Sequence, residues 1–230
     1  MKLRVKYRVT EAGRFLGHLD LTRTIMKNLR RTDLPVMLSE GFNPHPRLSF
    51  AMPLSVGHTG GGEFFEVDLG AEIEEEEFKK VFNEFAPPGI RVLEAKEVVE
   101  KQESMSSIIN SGKYLLDFNN TEASLLQKAI DEILGQEEII ILKKSKRKVK
   151  ETDIRSYIYD IVIVEVKNGK CVLEASIAQG GTKNLRVQDL LKLFSIEGIP
   201  IDEVRIEREG LYIKQDDKYF DLIEILTNVG

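Results

Sequence analysis

Residues 2–9, Lys2-Leu3-Arg4-Val5-Lys6-Tyr7-Arg8-Val9, set a basic side chain and an apolar one in strict alternation. Successive side chains of a strand point to opposite faces, so this stretch predicts a half-buried β-strand with a strongly basic outer face. Outward from it the pattern changes period. From Asp20 to Arg31, Leu21, Ile25, Met26 and Leu29 recur at helical spacing, and Arg23, Lys27, Arg30 and Arg31 line the opposite face. Short strands are predicted at Leu34 to Leu38 and Leu48 to Leu54. Gly60-Gly61-Gly62 reads as a hairpin loop before a strand at Glu63 to Leu69. Phe78, Val81, Phe82 and Phe85 mark a helix stopped by Pro87-Pro88-Gly89, and Ile90 to Val98 closes the series.

The same order recurs downstream. A strand is predicted at Lys113 to Phe118, then a helix carrying Leu125, Leu126, Ala129, Ile130 and Ile133. Strands at Tyr157 to Val166 and Lys170 to Ala178 flank the turn Asn168-Gly169. A helix through Val187, Leu190, Leu191 and Phe194 precedes a strand at Val204 to Arg208. The predicted fold is α+β: two tandem ferredoxin-like βαββαβ domains, each an antiparallel sheet with helices on one face. The expected boundaries are 1–100, a linker over 101–112, 113–214, and a C-terminal tail over 215–230 that can add a helix.

The 230 residues carry 33 Lys and Arg against 38 Asp and Glu, a formal charge of −5, with 42% hydrophobic residues. That fits a soluble protein of one or two domains. A single cysteine, Cys171, excludes an internal disulfide and a cysteine-built zinc or iron–sulfur site in this chain, and points to a reducing, cytoplasmic setting. The first residues lack the apolar core of a secretory signal, and no apolar run is long enough to span a membrane.

Several constellations are candidates for chemistry. In Ser39-Glu40-Gly41-Phe42-Asn43-Pro44-His45-Pro46-Arg47-Leu48-Ser49-Phe50, prolines hold Asn43 and His45 out of helical geometry and present His45 and Arg47 together. A group that titrates near neutrality beside a fixed, forked cation suits the gripping or cleaving of a phosphodiester; a Pro-braced loop whose histidine caps a carbonyl is the alternative. Arg23, Lys27, Arg30 and Arg31 extend a phosphate track. The basic face of residues 2–9 has two readings, an RNA platform or cross-strand ion pairs with Glu66 and Asp68, and the second is the commoner arrangement. Lys143-Lys144-Ser145-Lys146-Arg147-Lys148-Val149-Lys150 is the densest basic run; Lys146, Arg147 and Lys148, with Arg155, are expected to grip a second RNA backbone segment. Gly180-Gly181-Thr182-Lys183-Asn184 precedes a helix and reads first as a turn with an Asn184 cap, second as a phosphate cradle. Aromatic residues for base stacking are few: Phe64, Tyr157 and Tyr159. His18 and His45 are too few for a metal site, so no metal is expected, and His58 reads as a loop residue.

Phe15-Leu16-Gly17-His18-Leu19-Asp20-Leu21-Thr22-Arg23, Leu34-Pro35-Val36 and the stretch from Ser39 to Ala51, with Pro53-Leu54 and Val56-Gly57, resemble the bacterial radical-SAM-linked proteins. In that family the domain stands alone or is fused behind a radical SAM enzyme with a cobalamin-binding-like region. The resemblance implies an accessory to a radical enzyme, with the iron–sulfur cluster and S-adenosylmethionine in the partner and no cofactor in this chain; joined to the basic clusters, it gives the leading expectation of an RNA-binding accessory in tRNA or rRNA modification. The tandem architecture is also similar to the CRISPR repeat-processing endoribonucleases, which implies a second reading: metal-independent cleavage with His45 as the candidate catalytic residue. A third reading is a protein-interaction scaffold docking through the Asn-Pro-His-Pro turn.

Overall fold

In the computed structural model of the protein, which describes residues 1–99, 103–144, 149–167 and 169–227, the alternating stretch is strand β1 (Lys2–Val9). Its apolar side chains Leu3, Val5, Tyr7 and Val9 are all buried. They face helices α1 (His18–Leu29) and α2 (Glu75–Phe85), whose Leu21, Ile25, Leu29, Phe78 and Phe82 complete the core. Burying side chains of this size contributes about 1.5–3 kcal/mol each. The Asn28 side-chain amide donates to the Phe82 carbonyl at 3.0 Å, fixing α1 on α2.

β1 lies between β4 (Ile90–Glu97) and β3 (Thr59–Asp68), antiparallel to both, and β2 (Leu48–Phe50) pairs antiparallel with β3. The predicted strand at Leu34 to Leu38 reduces to isolated bridges from Val36 to Leu69 and Leu38 to Pro46. The glycines read as a hairpin loop instead lie inside β3. A Cβ on Gly61 would stand 2.9 Å from the Glu209 carbonyl oxygen and one on Gly62 3.0 Å from it, so the run permits close backbone approach.

The chain divides into two compact units, residues 1–109 with 207–230, and residues 110–206. The segment expected as a tail, 215–230, is thus compact with the first unit over its described residues, 215–227. There β10 (Arg205–Gln215) pairs in parallel with β3 at Glu207 and Arg208, and β11 (Lys218–Asp221) forms a hairpin with β10. The expected linker carries the short helix α3 (Met105–Ile108), and a further short helix, α6 (Glu224–Thr227), follows β11. Met105, Ile109, Leu211, Leu222 and Ile223 bury Phe64 and Ala51. The face of this sheet turned away from α1 and α2 is therefore not an open platform around Phe64, Arg4 and Lys6: there the chain's own C-terminal segment and α3 cover it.

The second unit holds β5 (Ser111–Asn119), β9 (Lys170–Ala178) and β8 (Ile158–Lys167) in that antiparallel order. Helices α4 (Ala123–Gly135) and α5 (Val187–Ile196) pack on it through Leu126, Ile130, Leu190 and Phe194. A separate two-stranded hairpin, β6 (Ile140–Lys144) with β7 (Val149–Asp153), brackets the basic run. Both units are mixed α+β with mostly antiparallel strands. No helix among the described residues is long and apolar enough to cross a membrane.

Candidate nucleic-acid interface

The Asn-Pro-His-Pro loop is braced from several sides. The Ser39 amide donates to the His45 carbonyl at 2.8 Å, and the Arg47 amide donates to the Met37 carbonyl at 2.9 Å. His45 Nδ1 lies 2.9 Å from Ser39 Oγ, and the Arg30 guanidinium donates to the Pro44 carbonyl. Phe42 stands fully exposed at the tip. His45 and Arg47 do share a cavity, of about 310 Å³, with Lys2, Glu66 and Asp68. Its cations are answered there: Arg47 Nε is 3.1 Å from Asp68, and Lys2 Nζ is 3.7 Å from Glu66 and 3.8 Å from Asp68. Two carboxylates beside two cations leave little net attraction for a phosphate.

The arginines of the α1 track are similarly engaged. Arg23 pairs with Asp20 at 3.3 Å, and Arg31 donates to the Phe85 carbonyl at 2.9 Å. Lys27 is exposed and makes no hydrogen bond or ion pair among the described residues. On the basic face of β1, Arg4 is wholly buried and donates to Glu66 Oε1 through both Nε at 3.1 Å and Nη2 at 2.9 Å, and to the Leu222 carbonyl at 2.9 Å. Lys6 pairs with Asp221 of β11. The ion-pair reading of this face therefore holds for Arg4 and Glu66, while Lys6 finds a partner that pairing within the first sheet does not supply.

A second buried pair lies in the same unit. Arg208, 2% exposed, donates to both carboxylate oxygens of Glu63, 1% exposed, and to the Pro53 carbonyl at 3.0 Å. His58 is buried rather than a loop residue in solvent; burial, with the Arg208 cation adding to it, pushes its pKa down to about 4. Burial and the Glu63 carboxylate hold the Tyr7 phenol well above its ordinary range, with Arg208 opposing. His58 is therefore neutral at physiological pH.

In the second unit, Arg155 has its guanidinium turned inward. Nε donates to the carbonyls of Leu134 at 3.2 Å and Gln136 at 3.1 Å, Nη2 to Leu134 at 2.8 Å, and Nη1 to Ile158 at 3.2 Å. It satisfies carbonyls at the end of α4, as a cation at a helix C-terminus does. Lys146, Arg147 and Lys148 lie outside the described residues.

The arrangement best suited to an anionic, aromatic ligand is one the sequence presents only as fragments. A cavity of about 560 Å³ is lined by Leu142 and Lys143 of β6, by Tyr157, by Gly181, Thr182 and Asn184 of the glycine loop, by Arg186 just before α5, and by Asp189 and Lys192 within it. Lys143 Nζ sits 4.8 Å and Lys183 Nζ 5.4 Å from the centre of the Tyr157 ring. Lys143 also donates to the Asn184 carbonyl at 2.7 Å, and Lys183 to Ser156 Oγ at 3.3 Å. Burial lowers the pKa of Lys143, with Asp189 raising it and Arg186 lowering it further. Asp189 is paired with Lys192 at 2.7 Å. Arg186 has no hydrogen-bond or ion-pair partner among the described residues.

Asn184 does not cap α5. Its Oδ1 accepts from the Gln179 side-chain amide at 2.9 Å, and Gln179 in turn accepts from the Tyr114 hydroxyl, which ties the loop to β5. The N-cap position is Arg186, with no side-chain cap. The signals available beforehand were the start of the basic run, the paired tyrosines and the Gly-Gly-Thr-Lys loop; their convergence was not visible in any one of them. Among the described residues no group of three His, Cys, Asp or Glu side chains is placed to hold a metal ion.

None of the curated proteins matches the chain. Among solved structures it is similar to a chain of a Cbf5-Nop10-Gar1 complex, at 11% identity and a TM-score of 0.46 over 96% of this chain and 54% of that one. It is similar to a chain of an archaeal box H/ACA sRNP Nop10-Cbf5 complex, at 10% identity and a TM-score of 0.45 over 96% of this chain and 53% of the other. An H/ACA RNP bound to a substrate RNA containing 2′-deoxyuridine gives 10% identity and a TM-score of 0.44, covering 96% and 52%. The chain thus spans about half the length of these structures. Likeness at that level says nothing of what the chain binds. A family model described as an uncharacterized protein conserved in bacteria (DUF2344) matches residues 2–187, and the chain belongs to that family.

Proposed function

We propose that the protein is an RNA-binding accessory module that works with a radical SAM enzyme in the modification of tRNA or rRNA, in the cytoplasm. The observation that carries the RNA reading is the cavity lined by Tyr157, Lys143 and Arg186, with Lys143 and Lys183 over the Tyr157 ring and Asp189 paired with Lys192. Cations track a phosphate backbone, and a π-face accepts any base. The basic run that begins at Lys143 extends the same charge along the chain. Support for the radical SAM partner is the resemblance of residues 15–57 to radical-SAM-linked proteins; the iron–sulfur cluster and S-adenosylmethionine belong to that partner and the chemistry is theirs. The strand order β4-β1-β3-β2, with α1 following β1 and α2 following β3, supports a ferredoxin-like reading of the first unit.

The test is a nucleoside profile by mass spectrometry of tRNA and rRNA from cells lacking the protein. One modified nucleoside is expected to disappear and to return with the wild-type chain but not with Lys143, Lys183, Arg186 and Lys192 changed together to alanine. An unchanged profile would overturn the proposal. In vitro, RNA affinity is expected to fall steeply with salt, and salt-insensitive binding contradicts a phosphate contact.

One observation favours the scaffold reading for the first unit: Phe42, fully exposed on a braced loop, has the form of an aromatic anchor for a protein pocket. Phe42→Ala would then abolish co-purification with the radical SAM enzyme and leave RNA affinity as it was.

A further inference from the structure

We infer that the second-unit cavity holds one unpaired nucleotide of an RNA single strand, its base stacked on Tyr157 and its phosphate gripped by Arg186 and Lys143. This rests on the RNA-binding reading and adds to it which form of RNA is bound and how.

Size is the first argument. A volume of about 560 Å³ falls within the range of roughly 300–1,000 Å³ that encloses one small ligand. It accommodates a base with its sugar and phosphate, and a base stacked on Tyr157 is one that has left its pair.

The second argument is how the two lysines over the ring are held. Lys143 is partly buried and anchored by its 2.7 Å hydrogen bond to the Asn184 carbonyl, on a loop tied through Gln179 to Tyr114. Lys183 is exposed, and its polar contact is one 3.3 Å hydrogen bond to Ser156 Oγ. An entering base therefore displaces Lys183 and not Lys143. The ring exchanges a cation for a π-face, and the released ammonium turns to the strand's phosphate, so its attraction is redirected rather than lost.

The third argument is unmet charge. Arg186 brings a planar fork of donors, matched to two phosphate oxygens, to a cavity wall where no described group accepts from it. Burial and Arg186 both disfavour the Lys143 cation, and an anion between the two cations favours it, offsetting the repulsion from Arg186. The one carboxylate in the lining, Asp189, already has Lys192 at 2.7 Å and does not repel the phosphate as a lone carboxylate would.

The experiment measures binding of the full chain to a fluorescein-labelled adenosine decanucleotide, to the same length of RNA duplex, and to AMP as competitor. The wild type is expected to bind the single strand more tightly than the duplex, and Tyr157→Leu to weaken the single strand roughly 5- to 150-fold while leaving the duplex unchanged. Tyr157→Phe, which keeps the ring, is expected to bind as the wild type does. Ultraviolet crosslinking of the wild type to the decanucleotide, mapped to the peptide bearing Tyr157, reads the same contact without a substitution. Equal binding by Tyr157→Leu and the wild type, with no crosslink at that peptide, overturns the base-stacking site while RNA binding survives. Displacement by AMP as effective as by the decanucleotide overturns the strand in favour of a free nucleotide. Failure of the wild type to bind either RNA overturns the RNA reading itself.

Discussion

The candidate sites of the two units treat positive charge in opposite ways. In the first, Arg4 and Arg208 are buried and each meets a carboxylate, Glu66 and Glu63, together with a backbone carbonyl. Lys2, Lys6, Arg23 and Arg47 have carboxylate partners as well. In the second, Lys143 and Lys183 are held by uncharged groups and an aromatic ring, and Arg186 has no described partner. Counting cations along the sequence does not separate the units, since both carry basic clusters. Attraction for an anion depends on charge the fold has left without a carboxylate, and Lys143, Lys183 and Arg186 gather more of it in one place than Lys27 alone does on α1.

The sharpest way to break this contrast is to remove one half of a buried pair. Glu63→Ala leaves the Arg208 guanidinium buried without its carboxylate, and the expected loss is about 3–5 kcal/mol in urea unfolding. Glu63→Leu with Arg208→Met, which removes both charges, is expected to recover most of that loss. If the double change is as damaging as the single one, Arg208 is not held by compensation and the contrast fails at its strongest point.

Arg155 tests the rule inside the second unit, because there a cation is fully engaged. Its donors reach the carbonyls of Leu134, Gln136 and Ile158. Arg155→Ala is expected to lower stability by about 2 kcal/mol. RNA affinity, measured where the variant remains folded, is expected not to move; a large loss of affinity would place Arg155 on the RNA after all.

His58 supplies a smaller, pH-dependent effect. Its pKa of about 4 in the folded protein lies below the ordinary 6.5, so between those values the unfolded chain takes up a proton that the native state refuses. Stability contributed by neutral burial is present above pH 6.5 and is lost as pH falls toward 4. His58→Gln is expected to flatten the fall in urea midpoint across that window, leaving the part due to carboxylates. Parallel curves for the two proteins would show that the acid sensitivity arises elsewhere.

What the sequence discloses follows the distance over which the cause acts. The alternation of residues 2–9 and the helical spacing of Leu21, Ile25 and Leu29 are local, and both elements are found. What covers the basic face of β1 is not local: Asp221 and Leu222 lie more than two hundred positions away, and nothing in Arg4 or Lys6 announces them. Gly60-Gly61-Gly62 carries the composition of a loop, yet backbone approach from Glu209 makes it a strand. The cavity around Tyr157 needs β6, the glycine loop and α5 to converge, which pairing and packing decide after each has formed.

The finest expected effect separates Arg186 from Arg47, two exposed arginines that the sequence does not distinguish by charge. Arg47 has Asp68 at 3.1 Å, so a phosphate reaching it competes with a carboxylate already in place. Arg186 has no such competitor among the described residues, and a phosphate there displaces only counterions. For single-stranded RNA each neutralised phosphate contributes about 0.7 to the slope of log affinity against log salt. Arg186→Ala is therefore expected to reduce that slope by about 0.7, with stability within about 0.5 kcal/mol of wild type, as for surface changes away from packed features. Arg47→Ala is expected to leave the slope where it is. The opposite assignment would return the RNA to the Asn-Pro-His-Pro loop and mean that a paired arginine gives up its carboxylate on binding. Equal slopes for wild type and both variants would mean that neither residue touches a phosphate, leaving Lys143 and the basic run to carry the charge dependence.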